Sequence, residues 1–289
     1  MAASDWINVG IPGGLAAESH HRGRVASAFI RAVICKVAQY RPRLTLICWR
    51  PRRVDTHSGQ NVNNPDTMTP AMVDVALFPI PNCVNFPGVP CPLHVFEPRY
   101  RQMARYCIDN EMLMGVCHTE KLVHANTRQQ DIREALSSNQ STYKPQGIFS
   151  AGPVRLLQEL DDGRMLIEVG TSIRLRLNEE KQTLPFSIWS CEELLDQPCD
   201  AGAEALLLQT QAKILQRLLT ITHENAQAQE VLQGEHWQDM SAHDFSFAVA
   251  GLLGMDPEIS QALLEMTHPQ QRLDSVLDML NEIGPSVRG

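Results

Sequence analysis

Between Leu77 and Tyr100 the chain reads LFPIPNCVNFPGVPCPLHVFEPRY, with prolines at positions 79, 81, 87, 90, 92 and 98. Proline fixes φ and has no amide hydrogen, so it breaks helix interiors and is kept out of central strands. This stretch must therefore run extended and bent. Its other side chains are largely apolar, so it needs a surface to pack on. Glu97-Pro98 then gives a helix start, since proline at the first helical position loses no hydrogen bond. Tyr100, Met103, Ala104, Cys107 and Ile108 fall on one face of that helix, and Arg99, Arg101, Gln102 and Arg105 lie on the other.

The 289 residues carry a net charge of −8 that is unevenly divided. Residues 1–71 hold nine Lys/Arg against four Asp/Glu, and residues 72–289 hold 16 against 29. An acidic body disfavours a nucleic-acid partner, because duplex recognition rests on clustered positive charge. Eight cysteines occur without a C-x-x-C, which speaks against a zinc ribbon or a thioredoxin-type pair. Cys107 and Cys117 read as buried free thiols. No apolar run reaches membrane-span length, so no membrane partner and a reducing, cytoplasmic setting are the expectation.

Residues 1–71 are polar, glycine-rich or arginine-rich without periodicity. They read as a poorly ordered or non-native extension, as a targeting segment, or as a basic arm, and Met72 is a candidate start. From there Val73, Val75 and Leu77 alternate as a strand. Met112–Cys117 is a short buried strand, and residues 118–146 read as a long mobile loop. "GIFSAGPVRLLQEL" and "RMLIEVGTSIRLRL" flank Asp161-Asp162-Gly163 as a hairpin, with Gly170 at a bulge or bend. Residues 186–194 form a further strand. After Asp200 the period turns helical, with Leu207, Ile214, Leu218 and Ile221 on one face. Ser241 caps a helix bearing Phe245, Ala248, Val249 and Leu252. Asp256-Pro257 opens another with Ile259, Ala262, Leu263 and Met266 inward. Thr267-x-x-Gln270 forms a capping box for the last, which Gly284-Pro285 closes. The fold class is α+β: a curled β domain over 72–196, then a helical bundle over 197–289.

"LFPIPNCVNFPGVPCPLHVFEPRY" resembles the start of the Lon protease N-terminal, or substrate-binding, domain family. The resemblance runs more loosely through "GPVRLLQELDDGRMLIEVGTSIRLRL" and "QALLEMTHPQQRLDSVLDML". It implies a PUA-like pseudo-barrel with a C-terminal helical subdomain. The prolines then hold an extended crossing of the barrel, reducing the backbone entropy lost on folding, with Phe78, Phe86, Leu93 and Phe96 as anchors and with Glu97 and Arg99 available to neighbouring backbone groups or charges.

The sequence contains no G-x-x-x-x-G-K-[ST] phosphate loop. "FSAGP" superficially echoes a catalytic-serine motif, but nothing nominates a base for Ser150, which reads as structural. Cys117, His118 and His124 match no recurrent metal spacing. The expectation is a non-enzymatic module without cofactor or metal that binds unfolded or tagged protein segments in quality control. A separate ATP-dependent protease is a candidate partner. The groove is expected between the proline-rich crossing and the first helix, with strand addition at an open barrel edge. Phe86, His94, Phe96 and Tyr100 are its candidate linings, although each also suits a core position. An RNA-binding PUA-like protein and a peptidase-related hydrolase centred on Ser150 are the alternatives.

Overall fold

The computed structural model describes residues 72–124 and 142–282. The readings of residues 1–71, of the middle of the 118–146 segment and of the Gly284-Pro285 stop lie outside these residues. Five strands close a barrel in the order β1, β10, β9, β6, β3. They are β1 (Met72–Pro79), β3 (Leu113–Cys117), β6 (Ile148–Gly152), β9 (Ile173–Gln182) and β10 (Ile188–Glu193). The parallel pair β1–β3 shuts it, with Val75 opposite Leu113 and Pro79 opposite Cys117. Closure leaves this sheet without a free edge, which corrects the expectation of an open barrel edge.

Each barrel strand sends side chains to a common interior: Val75 and Leu77, Leu113 and Cys117, Phe149 and Ala151, Leu175, and Cys191. The ring of Phe149 takes the space a side chain at Gly115 would fill, since a Cβ there would lie 2.2 Å from Cε2. The alternate residues Ala76 and Phe78 of β1 and Met114 and Val116 of β3 face a second core. Both strands are thus buried on two faces, which explains their unbroken apolar runs.

That second core is roofed by a three-stranded sheet in the order β2 (Cys91–Val95), β8 (Met165–Val169), β7 (Val154–Glu159). Helix α1 (Pro98–Asp109) completes it, burying Tyr100, Met103, Ala104 and Cys107 as its spacing predicted. Two departures from the sequence reading arise here. The proline-rich stretch contains a strand, β2; Pro92 is accommodated because β2 is an edge strand. The long hairpin strands also each divide between the two sheets, β6 from β7 at Gly152-Pro153 and β8 from β9 at Gly170. The two breaks touch: a Cβ on Gly152 would sit 2.0 Å from the Gly170 carbonyl oxygen. Segments 118–146 were read as loop throughout, yet β4 (Thr119–His124) and β5 (Thr142–Pro145) pair antiparallel at its two ends.

The helical layer comprises α2 (Ala201–Ile221), α3 (Ala226–Gln233), α4 (Glu235–Gln238), α5 (Ala242–Leu253), α6 (Pro257–Glu265) and α7 (Pro269–Glu282). Asp200, Asn225 and Ser241 cap α2, α3 and α5 through side-chain acceptors. Its core gathers Ile214, Leu218, Leu232, Trp237, Phe245, Val249, Leu273, Val276 and Leu280. The short helices α3 and α4 have too few residues to show a period, and the sequence reading omits them. On α6 the inward face is Ser260, Gln261, Leu263 and Leu264, whereas Ile259 and Ala262 face solvent. The capping box at Thr267 is not made: Gln270 Nε2 donates instead to Thr210 Oγ1 (2.9 Å) and Asp274 Oδ1 (2.8 Å).

The crossing from β1 to β2 ties the two layers together. Phe86 joins the helical core, and Val84 and Val89 pack against it. The backbone is held by polar groups of the barrel. Ser150 Oγ donates to the Asn85 carbonyl (2.7 Å), Asn85 Nδ2 donates to Thr171 Oγ1 (2.7 Å), and Gly88 N donates to the Thr171 carbonyl (2.8 Å). Gly88 has φ +79°, a left-handed conformation that suits glycine.

Candidate functional site

The outer face of the β2–β8–β7 sheet is assembled by register. His94 pairs with Leu166, which pairs with Gln158; Pro92 pairs with Glu168, which pairs with Arg155. Strand alternation turns Cys91, Leu93, Val95, Met165, Ile167 and Val169 into the core. The rows on the other side therefore face outward. His94, Gln158 and Arg155 are exposed there, and Pro92, Leu166 and Glu168 are half-buried. Arg155 Nη2 donates to Glu168 Oε1 (2.7 Å) across the face.

Along β7 the register slips between Leu156 and Gln158. Such a bulge breaks the strict alternation of side chains. Both neighbours are left in solvent, Leu156 at 42% and Leu157 at 39% exposure. Two exposed leucines side by side on a sheet edge are the most apolar feature of this rim. Helix α1 borders it: Arg105 of α1 pairs with Glu159 of β7, and Arg101 Nη1 donates to the Gly163 carbonyl (3.1 Å). The β7–β8 turn holds its shape through Gly163 (φ +81°) and through Asp162, which accepts from the Arg164 backbone N–H at 3.1 Å. That hydrogen bond helps hold the Asp162 carboxyl below its ordinary value.

Of the four predicted linings, the structure brings two together at this surface. His94 is exposed and Phe96 half-buried, with ring centroids 6.3 Å apart edge to face. Burial, and then the nearby Arg164 guanidinium, hold the His94 ring toward its neutral form, with Asp162 opposing. Tyr100 instead stacks on Phe78, 4.2 Å between centroids, inside the second core, with Arg99 4.4 Å over its ring. Arg99 Nη2 also pairs with Glu97 Oε2 at 3.2 Å. Phe86 lies in the helical core. Leu156, Leu157 and Leu166 were missed because the first two disobey strand alternation and the third looks like any strand residue.

A second polar centre sits where barrel and helices meet. Asp196, in the link between β10 and α2, accepts from Arg272 Nη2 (2.6 Å) and His243 Nε2 (2.9 Å) and pairs with Arg174 of β9. Arg174 also donates to the carbonyls of Leu264 (2.7 Å) and Met266 (2.6 Å), and Arg272 to Ser246 Oγ (2.9 Å) and the Met266 carbonyl (2.8 Å). Both guanidiniums lie over the Phe247 ring, Arg272 3.7 Å and Arg174 4.9 Å from its centroid. Burial opposes ionisation of Asp196, but hydrogen bonds from His243 and Arg272 and the pull of both guanidiniums hold its carboxyl well below the usual range. This centre is a fastening: its charged groups are spent on one another.

Ser150 is fully buried, and its hydroxyl is committed to the Asn85 carbonyl. Cys117 donates to the carbonyls of His118 (3.1 Å) and Gln146 (3.3 Å), and His118 Nδ1 accepts from the Asn82 amide (3.0 Å). Among the described residues no group of three or more His, Cys, Asp or Glu is placed to hold a metal ion, and no helix is long and apolar enough to cross a membrane. An open hollow of about 260 Å³ between α2 and α7 is lined by Lys213, Gln216, Arg217, Thr220, Leu277 and Asn281. With one apolar side chain among six, it does not suit an apolar ligand.

Comparison with solved structures returns the Lon N-terminal domain protein from Xanthomonas campestris at 20% identity and TM-score 0.45, covering 71% of this chain and 98% of that one. The N-terminal domain of the Mycobacterium avium complex Lon protease matches at 13% identity and TM-score 0.49, covering 72% and 98%. The sequence profile of the ATP-dependent protease La (LON) substrate-binding domain matches residues 74–282. That match spans nearly all of the described barrel, sheet and helices, and the chain belongs to the LON substrate-binding domain family.

Proposed function

We propose that the chain is a non-enzymatic module that captures exposed apolar segments of unfolded polypeptides on the outer face and rim of the β2–β8–β7 sheet. The observation that carries this reading is the pair of solvent-exposed leucines, Leu156 and Leu157, on a bulged edge strand. Adjacent exposed apolar groups rimmed by polar side chains are a feature of interaction surfaces, and here Arg155, Gln158 and Glu159 are the polar neighbours along the strand. Leu166, His94 and Phe96 extend the surface across the sheet. Tyr100 supports it from beneath, through α1 and the second core, and Phe86 anchors the crossing in the helical core. A separate ATP-dependent protease is the partner to which a captured segment is passed.

The test is fluorescence anisotropy of the full chain with a labelled, permanently unfolded carboxymethylated protein as probe. Covering two leucines that are each about two-fifths exposed contributes roughly 1–2 kcal/mol, so Leu156→Ser/Leu157→Ser weakens binding about tenfold. Ile259→Ser, an equally exposed residue on α6, leaves it unchanged. Equal losses in both variants, or none in either, refute the placement. Cleavage of the probe that Ser150→Ala abolishes refutes the non-enzymatic reading.

A further inference from the structure

The outer face of the β2–β8–β7 sheet sets one histidine among apolar groups. His94 pairs across the ladder with Leu166, and Phe96, two residues along, meets it edge to face with 6.3 Å between ring centroids. His94 is exposed, and both neighbours are half-buried. The charged groups around it are engaged elsewhere. In the β7–β8 turn Arg164 Nε donates to Asp162 Oδ2 (2.7 Å), and Arg101 of α1 reaches the Gly163 carbonyl (3.1 Å). One row along the sheet Arg155 pairs with Glu168, and beyond Phe96 the pair is Arg99 with Glu97. Among the described residues no carboxylate accepts from the His94 ring, so an imidazolium there relies on solvent.

We propose that His94 makes capture on this face depend on pH: the neutral ring belongs to the apolar surface, and its protonation releases the bound polypeptide. The inference rests on the capture reading above and adds a means of regulation to it.

Imidazole is the side chain whose charge ordinarily changes between pH 5 and 8. An apolar segment lying over Leu166 and Phe96 also takes water from the ring between them. A neutral ring tolerates that cover. An imidazolium loses its solvent there and gains no acceptor in exchange, which is costly. The protonated surface therefore binds more weakly, and by linkage a bound segment favours the neutral ring. The surroundings act in the same sense before anything binds. Burial and the Arg164 guanidinium lower the ring below its ordinary value of 6.5, with Asp162 opposing. Capture is accordingly complete at pH 7.5 and declines as acid protonates the ring. The ordinary value sets the limit, a loss of about tenfold between pH 7.5 and pH 5.5.

Fluorescence anisotropy of the full chain with the labelled carboxymethylated protein, repeated from pH 7.5 to pH 5.5, tests this. The unaltered chain loses affinity by between about twofold and tenfold. His94→Gln carries no charge at any of these pH values and keeps one affinity throughout, so titration of the probe cancels in the comparison. Capture by the unaltered chain that stays level to pH 5.5, or that declines equally in His94→Gln, overturns the inference and leaves the capture reading standing. Absence of capture at pH 7.5 overturns both.

Discussion

Asp196→Asn is the substitution that best tests how barrel and helices are joined. It preserves volume and one carbonyl acceptor but removes the negative charge between two guanidiniums that are 3% and 0% exposed. Arg174 and Arg272 keep their bonds to the Leu264, Met266 and Ser246 oxygens, so their donors stay partly satisfied. Their charges do not. Removing one partner of a buried ion pair costs about 3–5 kcal/mol, chiefly from the charge left behind. That is a large part of the ~5–15 kcal/mol by which a domain is stable. Guanidinium denaturation of the full chain, followed by circular dichroism and tryptophan emission, reads the loss as a lower midpoint at unchanged slope. If unpaired charge is the cause, Arg174→Met/Asp196→Leu/Arg272→Met, which removes every charge of the trio, recovers much of it. A loss for Asp196→Asn below about 1 kcal/mol, or a triple variant less stable than the single one, refutes the assignment of these residues as an ion-paired fastening.

The same cluster makes stability depend on pH through His243. Hydrogen bonds to Asp196 and then Asp244 raise its imidazole from 6.5 to about 9 against burial. A raised value means that the contribution is complete below pH 6.5 and lost as pH climbs through 9. Because the ring is half exposed the loss is about 1 kcal/mol, and His243→Gln flattens the stability profile over that window; an unchanged slope refutes this. Gly152→Ala forces a Cβ against the Gly170 carbonyl and should cost several kcal/mol (roughly 3 or more), whereas Gly170→Ala, with 3.8 Å to its nearest neighbour, stays within about 1 kcal/mol. Thermal melts of the two variants that coincide would contradict the close crossing. Tyr100→Ala removes the Phe78 stack and loses about 3–5 kcal/mol of stability in denaturant titration; a neutral result returns Tyr100 to the list of surface contacts.

Much of this fold is written locally. Periodicity located α1, α2, α5 and α7 and most of their inward residues, because an amphipathic helix carries its own pattern whatever it packs on. The hairpin turn was legible for a similar reason: Asp161-Asp162-Gly163 has turn chemistry that needs no tertiary contact. The failures share one cause. Whether β6 and β7 are one strand or two depends on Gly152 meeting Gly170, a contact between residues far apart in sequence. Whether the barrel closes depends on β1 finding β3. Nothing near Arg174 or Arg272 in sequence announces that Asp196 and Phe247 will meet their charges. Of the candidate linings, Phe86 and Tyr100 looked like site residues for the reason they are core residues: large aromatic groups in a segment that has to be packed.

The edges of the β2–β8–β7 sheet bear on how a polypeptide would be held there. An exposed edge invites a further strand through its free amides and carbonyls. Here β2 carries Pro92, which has no amide to offer, and β7 carries the bulge at Leu156 and Leu157, which interrupts the ladder a new strand would follow. Both devices disfavour main-chain pairing while leaving side chains accessible. On the proposed reading, capture therefore depends on apolar side-chain contact more than on a hydrogen-bonded ladder. Side-chain contact of this kind is non-directional and scales with the apolar area covered. It would accept many sequences provided that they are unfolded enough to present such area, and would let them go readily. A module that passes its substrates onward requires both.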